Sequence, residues 1–302
     1  MKKDKWKETI AEFESYLRIE RSLSENSIWA YLSDVSKLRQ FISEHSPETD
    51  PEEVSFDDIK LFLKWLDPEN SRTRSRILSG IRSFFRYMVI EGKIGESPAT
   101  LIESPRLGMI LPDVLSVEEI DLIIAAIDLS KPEGQRNRAI IETLYGCGLR
   151  VSELINMKIT DLHFDEGFII VTGKGDKQRL VPVNDKTIKE IKYYRIDRNR
   201  LKVIYDNNIL FLNRRGRKLT RVMIFTIIRN LAEKAGITKN VSPHTFRHSF
   251  ATHLVQAGAD LRAVQEMLGH ESILTTEVYT HIDRIFLRDT ILTYHPRTSK
   301  KN

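Results

Sequence analysis

The stretch FIIVTGKGDKQRLVPV, residues 168–183, decides the fold class, because it is the one segment that reads as strand in a chain otherwise patterned as helix. Phe168 to Thr172 and Arg179 to Val183 are rich in β-branched and apolar residues. A polar turn, Gly173-Lys174-Gly175-Asp176-Lys177-Gln178, joins them, so the segment predicts a β-hairpin. Lys174 sits at its tip between two glycines. Such a lysine is either an exposed turn residue or a finger that reaches a groove or a phosphate, and spacing alone leaves both readings open.

Outward from the hairpin, apolar residues recur at helical spacing. Trp6, Ile10, Phe13 and Leu17 predict a first helix. Ser24 caps a second, whose apolar face is Ile28, Tyr31, Leu32, Val35 and Leu38. A third runs from Phe56 to about Leu66 and is ended by Pro68, and a fourth spans about Ser71 to Glu91. The fourth turns Leu78, Ile81, Phe85 and Met88 to a core and carries Ser75, Ser79, Arg82 and Arg86 on another face. That face is either a solvated charged surface or a phosphate-contacting one. Pro98, Pro105 and Pro112 fall in a stretch without periodicity, which predicts a helical domain at 1–104, a linker at 105–112 and a second domain at 113–302. The second domain opens with a capping box, Ser116 with Glu119, and continues with a helix over Arg136 to Tyr145. The fold class is therefore mainly α with a small β-hairpin in the second domain.

Composition narrows the function classes. The 302 residues carry a formal net charge of +5, with 41% hydrophobic and 29% charged residues, which suits packed domains with a polyanionic partner. A single cysteine, Cys147, excludes an intramolecular disulfide and fits a reducing compartment. The amino-terminal residues hold no apolar signal core, and no run reaches the ~20 apolar residues of a membrane span, so no membrane insertion and a cytoplasmic location are expected.

Four further sites are candidates for chemistry. Glycines at 146 and 148 break one helix, and a new one starts near Arg150, where an anion would offset the cost of a cation at a helix start. The alternative is an arginine that pairs with a neighbouring carboxylate. Ser242-Pro243 opens a helix that presents His244, Arg247 and His248 on one side, with Phe246 and Phe250 on the other. Leu268-Gly269-His270 ends a helix, and Tyr279 follows; a tyrosine is ordinarily a packing residue with a polar handle, and nothing local marks this one as a nucleophile. Zinc on His244, His248, His270 and His281 lacks the His-Glu-x-x-His pattern and any nearby cysteine. No metal or cofactor is expected.

In this order, Arg150, Lys174, His244 with Arg247, His270 and Tyr279 resemble the signature of the tyrosine recombinase (integrase) family. The resemblance covers nearly the whole chain and is closest to the XerC/XerD branch, nearer XerD. It rests there on the start at the core-binding domain, on the box Arg247-His248-Ser249-Phe250-Ala251-Thr252-His253-Leu254, and on the ending Tyr294-His295-Pro296-Arg297. Ser97-Pro98 departs from the Asn-Pro that branch leads one to expect. The resemblance implies a two-domain DNA clamp that cuts and rejoins DNA through Tyr279 without metal or ATP. Arg150, Lys174, His244, Arg247 and His270 complete the catalytic set. Arg82, Arg86, Lys177 and Arg179 are expected to contact DNA. Implied partners are a double-stranded recombination site, a second related recombinase (XerC-like) in a tetramer on two DNA sites, and a DNA translocase at the septum, with the carboxy-terminal helix docking on a neighbour. The implied role is resolution of chromosome dimers. The alternatives are a mobile-element integrase of the same chemistry and a non-catalytic DNA-binding or architectural protein.

Overall fold

In the computed structural model the described residues are 4–66, 71–103, 113–269 and 281–298. The chain divides into two compact units, Met1–Ile110 and Leu111–Asn302. The expected linker and Pro68 lie outside the described residues.

The first unit consists of helices α1 (Lys5–Ile19), α2 (Glu25–His45), α3 (Phe56–Trp65) and α4 (Ser71–Ile90), with a single helical turn at Pro51–Glu53. Caps set their starts: Asp4, Ser24 and Ser55 each accept the backbone N–H three residues on. The predicted apolar faces are the buried ones. Phe13, Val35, Leu38, Leu78, Ile81, Phe85 and Met88 are fully enclosed, each contributing on the order of 1.5–3 kcal/mol by burial. Helix α4 packs along α2, and Gly80 permits the approach, because a Cβ there would lie 2.5 Å from an oxygen of the buried Asp34 carboxylate. That carboxylate takes both prongs of the Arg76 guanidinium, at 2.7 and 2.8 Å.

The second unit holds α5 (Val117–Ala125), α6 (Gly134–Cys147), α7 (Val151–Ile155), strands β1 (Leu162–His163), β2 (Phe168–Thr172) and β3 (Gln178–Pro182), then α8 (Asp185–Asn199), α9 (Arg221–Lys234), α10 (Pro243–Gln256), α11 (Leu261–Leu268) and α12 (His281–Tyr294). The predicted hairpin is β2 and β3, in register Ile169 to Val181 and Val171 to Arg179. A third, two-residue strand, β1, adds to β2 and had no signal of its own in the sequence. Helix α6 is buried almost all round, against α8 and α10. Cys147 lies inside it, and burial pushes its thiol pKa up to about 12, so it is an inert packing residue. Among the described residues no helix is long and apolar enough to cross a membrane.

Helix α12 closes the second unit. In the single chain it packs on β3, α10 and α11 of its own unit, burying Leu287 and Ile291. The tail beyond it is tied down as well. Arg297 pairs with Asp121 and, at 3.3 Å, with the buried Glu142. His295 receives the Arg297 backbone N–H on Nδ1 at 3.1 Å and lies 3.3 Å by Nε2 from the Tyr145 carbonyl.

Burial, with the nearby Arg297 charge adding to it, pushes the His295 imidazole down to about 3. Its unfolded value is about 6.5, so below that pH the unfolded chain binds the proton and the folded one does not. Stability is therefore whole above about pH 6.5 and is lost as pH falls towards 3. Between pH 7.5 and 5.0 this one group should cost about 2 kcal/mol. Chemical unfolding across that range should show the slope in the natural chain and a flatter profile in His295→Gln.

Candidate active site

Three chain segments meet at one point of the second unit. The first is the break between α6 and α7. Gly148 ends α6 in the left-handed region at φ 59°, where a Cβ would stand 2.5 Å from Phe250 Cδ1. The chain then turns so that Arg150 becomes the residue that opens α7. That helix has only five residues, so its dipole is small and any anion there must be held chiefly by the guanidinium. The Arg150 backbone N–H donates to Glu153 Oε2 at 2.8 Å and Nη1 donates to Oε1 at 2.9 Å. The carboxylate-pairing reading of Arg150 is thus realised, while 36% of its side chain stays open to solvent.

The second segment is the start of α10. Ser242 caps it and Pro243 occupies its first position. Phe246 and Phe250 fill the core side, and His244 is exposed, one turn before Arg247. Arg247 is buried, donating from Nη1 to the Gly148 carbonyl at 2.7 Å and from Nη2 to the Leu268 carbonyl at 2.5 Å. Burial and the Arg150 charge push its pKa down to about 10, with Glu153, 3.9 Å away, acting in the opposite direction.

The third is the end of α11, closed by Gly269 at φ 64°. Its last three carbonyls each accept from a different arginine: Met267 from Arg179 Nε at 2.7 Å, Leu268 from Arg247, and Gly269 from Arg150 Nη2 at 3.2 Å. Unpaired carbonyls at a helix end are where cations bind well. His270 is the next residue in the chain. His270 and Tyr279 both lie outside the described residues, as does the side chain of Lys174; the backbone of the Lys174 turn is described, with Gly175 at φ 71°.

The expected DNA contact at Arg179 requires correction. Arg179 is buried, and its Nη1 and Nη2 bond the two oxygens of Glu153 at 2.8 and 2.9 Å. Strand alternation is the reason: Gln178 points out, Arg179 in, and Val181 in again. Lys177, one residue past the turn, is exposed. In the first unit Arg86 is exposed, whereas Arg82 turns its guanidinium onto the carbonyls of Ala99 and Ile102, so it ties α4 to the segment that follows. The residue that sequence reasoning missed is Glu153. Its side chain is 2% exposed, and burial acts to raise its pKa, yet the hydrogen bonds and charges of Arg179 and Arg150 outweigh this and hold it below the usual carboxylate range. Its signal was the three-residue spacing after Arg150, the spacing of a capping box.

Residues 113–284 match the model of the phage integrase family, and residues 10–92 match that of the phage integrase N-terminal SAM-like domain. The chain belongs to the phage integrase family. A tyrosine recombinase XerD from Oceanobacillus iheyensis is 42% identical over 95% of this chain and 98% of that protein. One from Chlorobaculum tepidum is 41% identical over 98% and 99%. Among solved structures, the XerH site-specific recombinase on a palindromic difH substrate after cleavage aligns with TM-score 0.72, at 26% identity, over 94% of this chain and 84% of that one. The pre-cleavage complex of XerH aligns with TM-score 0.68, also at 26% identity, over 93% and 83%. Both domain matches and the full-length relatives agree: the chain is a site-specific DNA recombinase of the tyrosine type.

The glycine that ends α6 should be hard to replace. Gly148→Ala meets both the left-handed backbone and the Phe250 ring, and should destabilise the second unit by about 2–4 kcal/mol. Urea unfolding of this variant beside Gly95→Ala, where a Cβ meets nothing within 4 Å, separates the steric effect from loss of glycine as such.

Proposed function

We propose that the chain resolves chromosome dimers by cutting and rejoining duplex DNA through Tyr279. The observation that supports this most is the convergence of Arg150 and Arg247, distant in sequence, on adjacent carbonyls of the turn that leads into His270. Two guanidinium forks on one small surface suit the non-bridging oxygens of a single phosphate. In the proposed step the Tyr279 oxygen forms a bond to phosphorus and the bond from phosphorus to the 5′-oxygen breaks. The products are a 3′-phosphotyrosyl link and a free 5′-hydroxyl. The phenolic proton passes to His244, and Lys174 on the hairpin protonates the departing 5′-oxygen. Arg150 and Arg247 neutralise the charge that develops on the non-bridging oxygens, and His270 hydrogen-bonds the same phosphate. The bond energy stays in the phosphotyrosyl link, so religation needs no nucleotide, and charge neutralisation by arginine replaces a metal. Arg86 and Lys177 contact the DNA backbone.

The XerD-named relatives carry the cellular role. On that reading the chain works on a chromosomal recombination site with a second, XerC-like recombinase, two protomers of each forming a tetramer on two sites, with a septal DNA translocase as a further partner. A mobile-element integrase would instead act on the ends of its own element, so a suicide duplex with chromosomal sites, set against one with element ends, distinguishes the two.

Tyr279→Phe should abolish the detergent-stable protein–DNA adduct while gel-shift affinity stays within about threefold of the natural chain, since only the phenolic oxygen is lost and the phosphate contacts remain. An adduct formed by the Phe variant would assign the nucleophile elsewhere.

Lys174→Ala should slow cleavage by about 10²–10⁴-fold, the usual contribution of a general acid. Sulfur in place of the bridging 5′-oxygen makes a leaving group that needs little protonation, so this substrate should restore Lys174→Ala and leave Arg247→Ala slow. Weakened binding with no recovery on sulfur would make Lys174 a backbone contact.

A further inference from the structure

Glu153 is one negative charge with three guanidiniums around it, and the three are not equivalent. Arg179 gives it two hydrogen bonds and is itself buried. Arg150 gives it one side-chain bond, and Arg247 stands off at 3.9 Å. Arg179 is fixed from every side. Its Nε is bound to the Met267 carbonyl, and Gly269 leaves it room, since a Cβ there would lie 3.0 Å from Arg179 Cδ. Its donors are spent on contacts within the protein, and the proposed chemistry does not use it.

We infer that Arg179 is a positioning residue whose task is to saturate Glu153, so that the carboxylate neither captures Arg247 nor takes more of Arg150 than the one side-chain bond it already holds. A buried carboxylate seeks charge-assisted partners strongly, because desolvation has removed its water. Once Arg179 has occupied an acceptor site on each oxygen, Arg247 gains little by closing the remaining gap, and its fork stays on the weaker, neutral carbonyls of Gly148 and Leu268. Without Arg179 the nearest remaining guanidiniums are those of Arg247 and Arg150. Arg247 would leave its carbonyls for Glu153, Arg150 would turn further onto it, and both would move away from the phosphate. An approach that shifts a catalytic group by about 1 Å can cost about 10²-fold in rate. This inference rests on the proposed roles of Arg150 and Arg247.

The test uses the full-length chain on a nicked suicide duplex, chosen from the candidate chromosomal sites of the source genome as one that the natural chain cleaves. If the natural chain forms no Tyr279 adduct on any of them, the catalytic reading fails and this inference falls with it; if it does, the following results bear on Arg179 alone. Arg179→Met should bind the duplex as the natural chain does and cleave it about 10²-fold more slowly at saturating protein. A methylphosphonate at the scissile position removes one charged non-bridging oxygen, so it depends less on the arginine pair, and on it the gap between natural chain and variant should narrow by at least about tenfold. The 5′-bridging sulfur substrate should bring no such recovery. The double variant Glu153→Gln/Arg179→Met, in which the capturing charge is gone, should cleave faster than Arg179→Met alone. Equal loss on both phosphate substrates, recovery on sulfur, or a double variant slower than the single one would each overturn the proposal. If circular dichroism shows that Arg179→Met does not fold, Arg179→Lys takes its place, because one ammonium cannot bond both oxygens as a planar fork does. Cleavage by Arg179→Lys equal to that of the natural chain would then overturn it.

Discussion

The site depends on a carboxylate, Glu153, taken almost wholly out of water and surrounded by arginines. Burying one charge is costly, and burying a cluster of like charges costs more. Three guanidiniums within reach of one another would be untenable without a counter-charge. Glu153 supplies one unit of it, and the carboxy-terminal end of α11 supplies partial negative charge through three carbonyls. The balance remains positive. Among the described residues that excess is what the proposed phosphate contact would neutralise.

The partners differ in how firmly they hold. A bidentate, desolvated arginine–carboxylate pair such as Arg179 with Glu153 is a fixed part of the frame. The bonds from Arg247 to the carbonyls of Gly148 and Leu268 join a charged donor to neutral acceptors, so they orient the fork without cancelling its charge. A fork kept oriented and still charged needs little rearrangement as the transition state forms, which is the condition for strong electrostatic stabilisation. The fold provides for this by ending two helices in left-handed glycines, Gly148 and Gly269, so that α6 and α11 stop beside the same two side chains.

Much of this was legible in the sequence, and what was missed has physical reasons. Helix faces followed from apolar spacing because each helix buries one stripe, as at Phe13 with Leu17 and Val35 with Leu38. Helix starts followed from Ser24, Ser116 and Ser242 because a side-chain oxygen must satisfy an unpaired N–H. The hairpin was clear from its turn. Strand β1 was not, since two residues carry no period and owe their conformation to pairing with β2. Arg179 was misread because charge was weighed before alternation. Its place two residues before Val181 already put it on the inner face, where an arginine requires a buried acid. Glu153 was the acid, and nothing in local sequence distinguishes a carboxylate that caps its own helix from one that also gathers two distant arginines. Arg82 presents the same difficulty in the first unit, where its partners are backbone carbonyls that every sequence contains.

Residue type at the three cationic positions follows from geometry. Each of these side chains has to satisfy more than one acceptor in different directions. Arg150 divides its nitrogens between Glu153 and Gly269, Arg247 between Gly148 and Leu268, and Arg179 between both oxygens of Glu153 and Met267. A guanidinium has five N–H groups in a rigid plane, so bonds on one nitrogen leave the others aimed and available. A lysine ammonium concentrates its three donors at one point and is more strongly hydrated. Buried here, it would satisfy one neighbour at the expense of the next, and its proton would be less secure as desolvation lowers its pKa. Lys174, the proposed general acid, is the opposite case. A group that gives up a proton to a leaving oxygen needs a side chain that can exist without it, which a lysine can do and an arginine cannot.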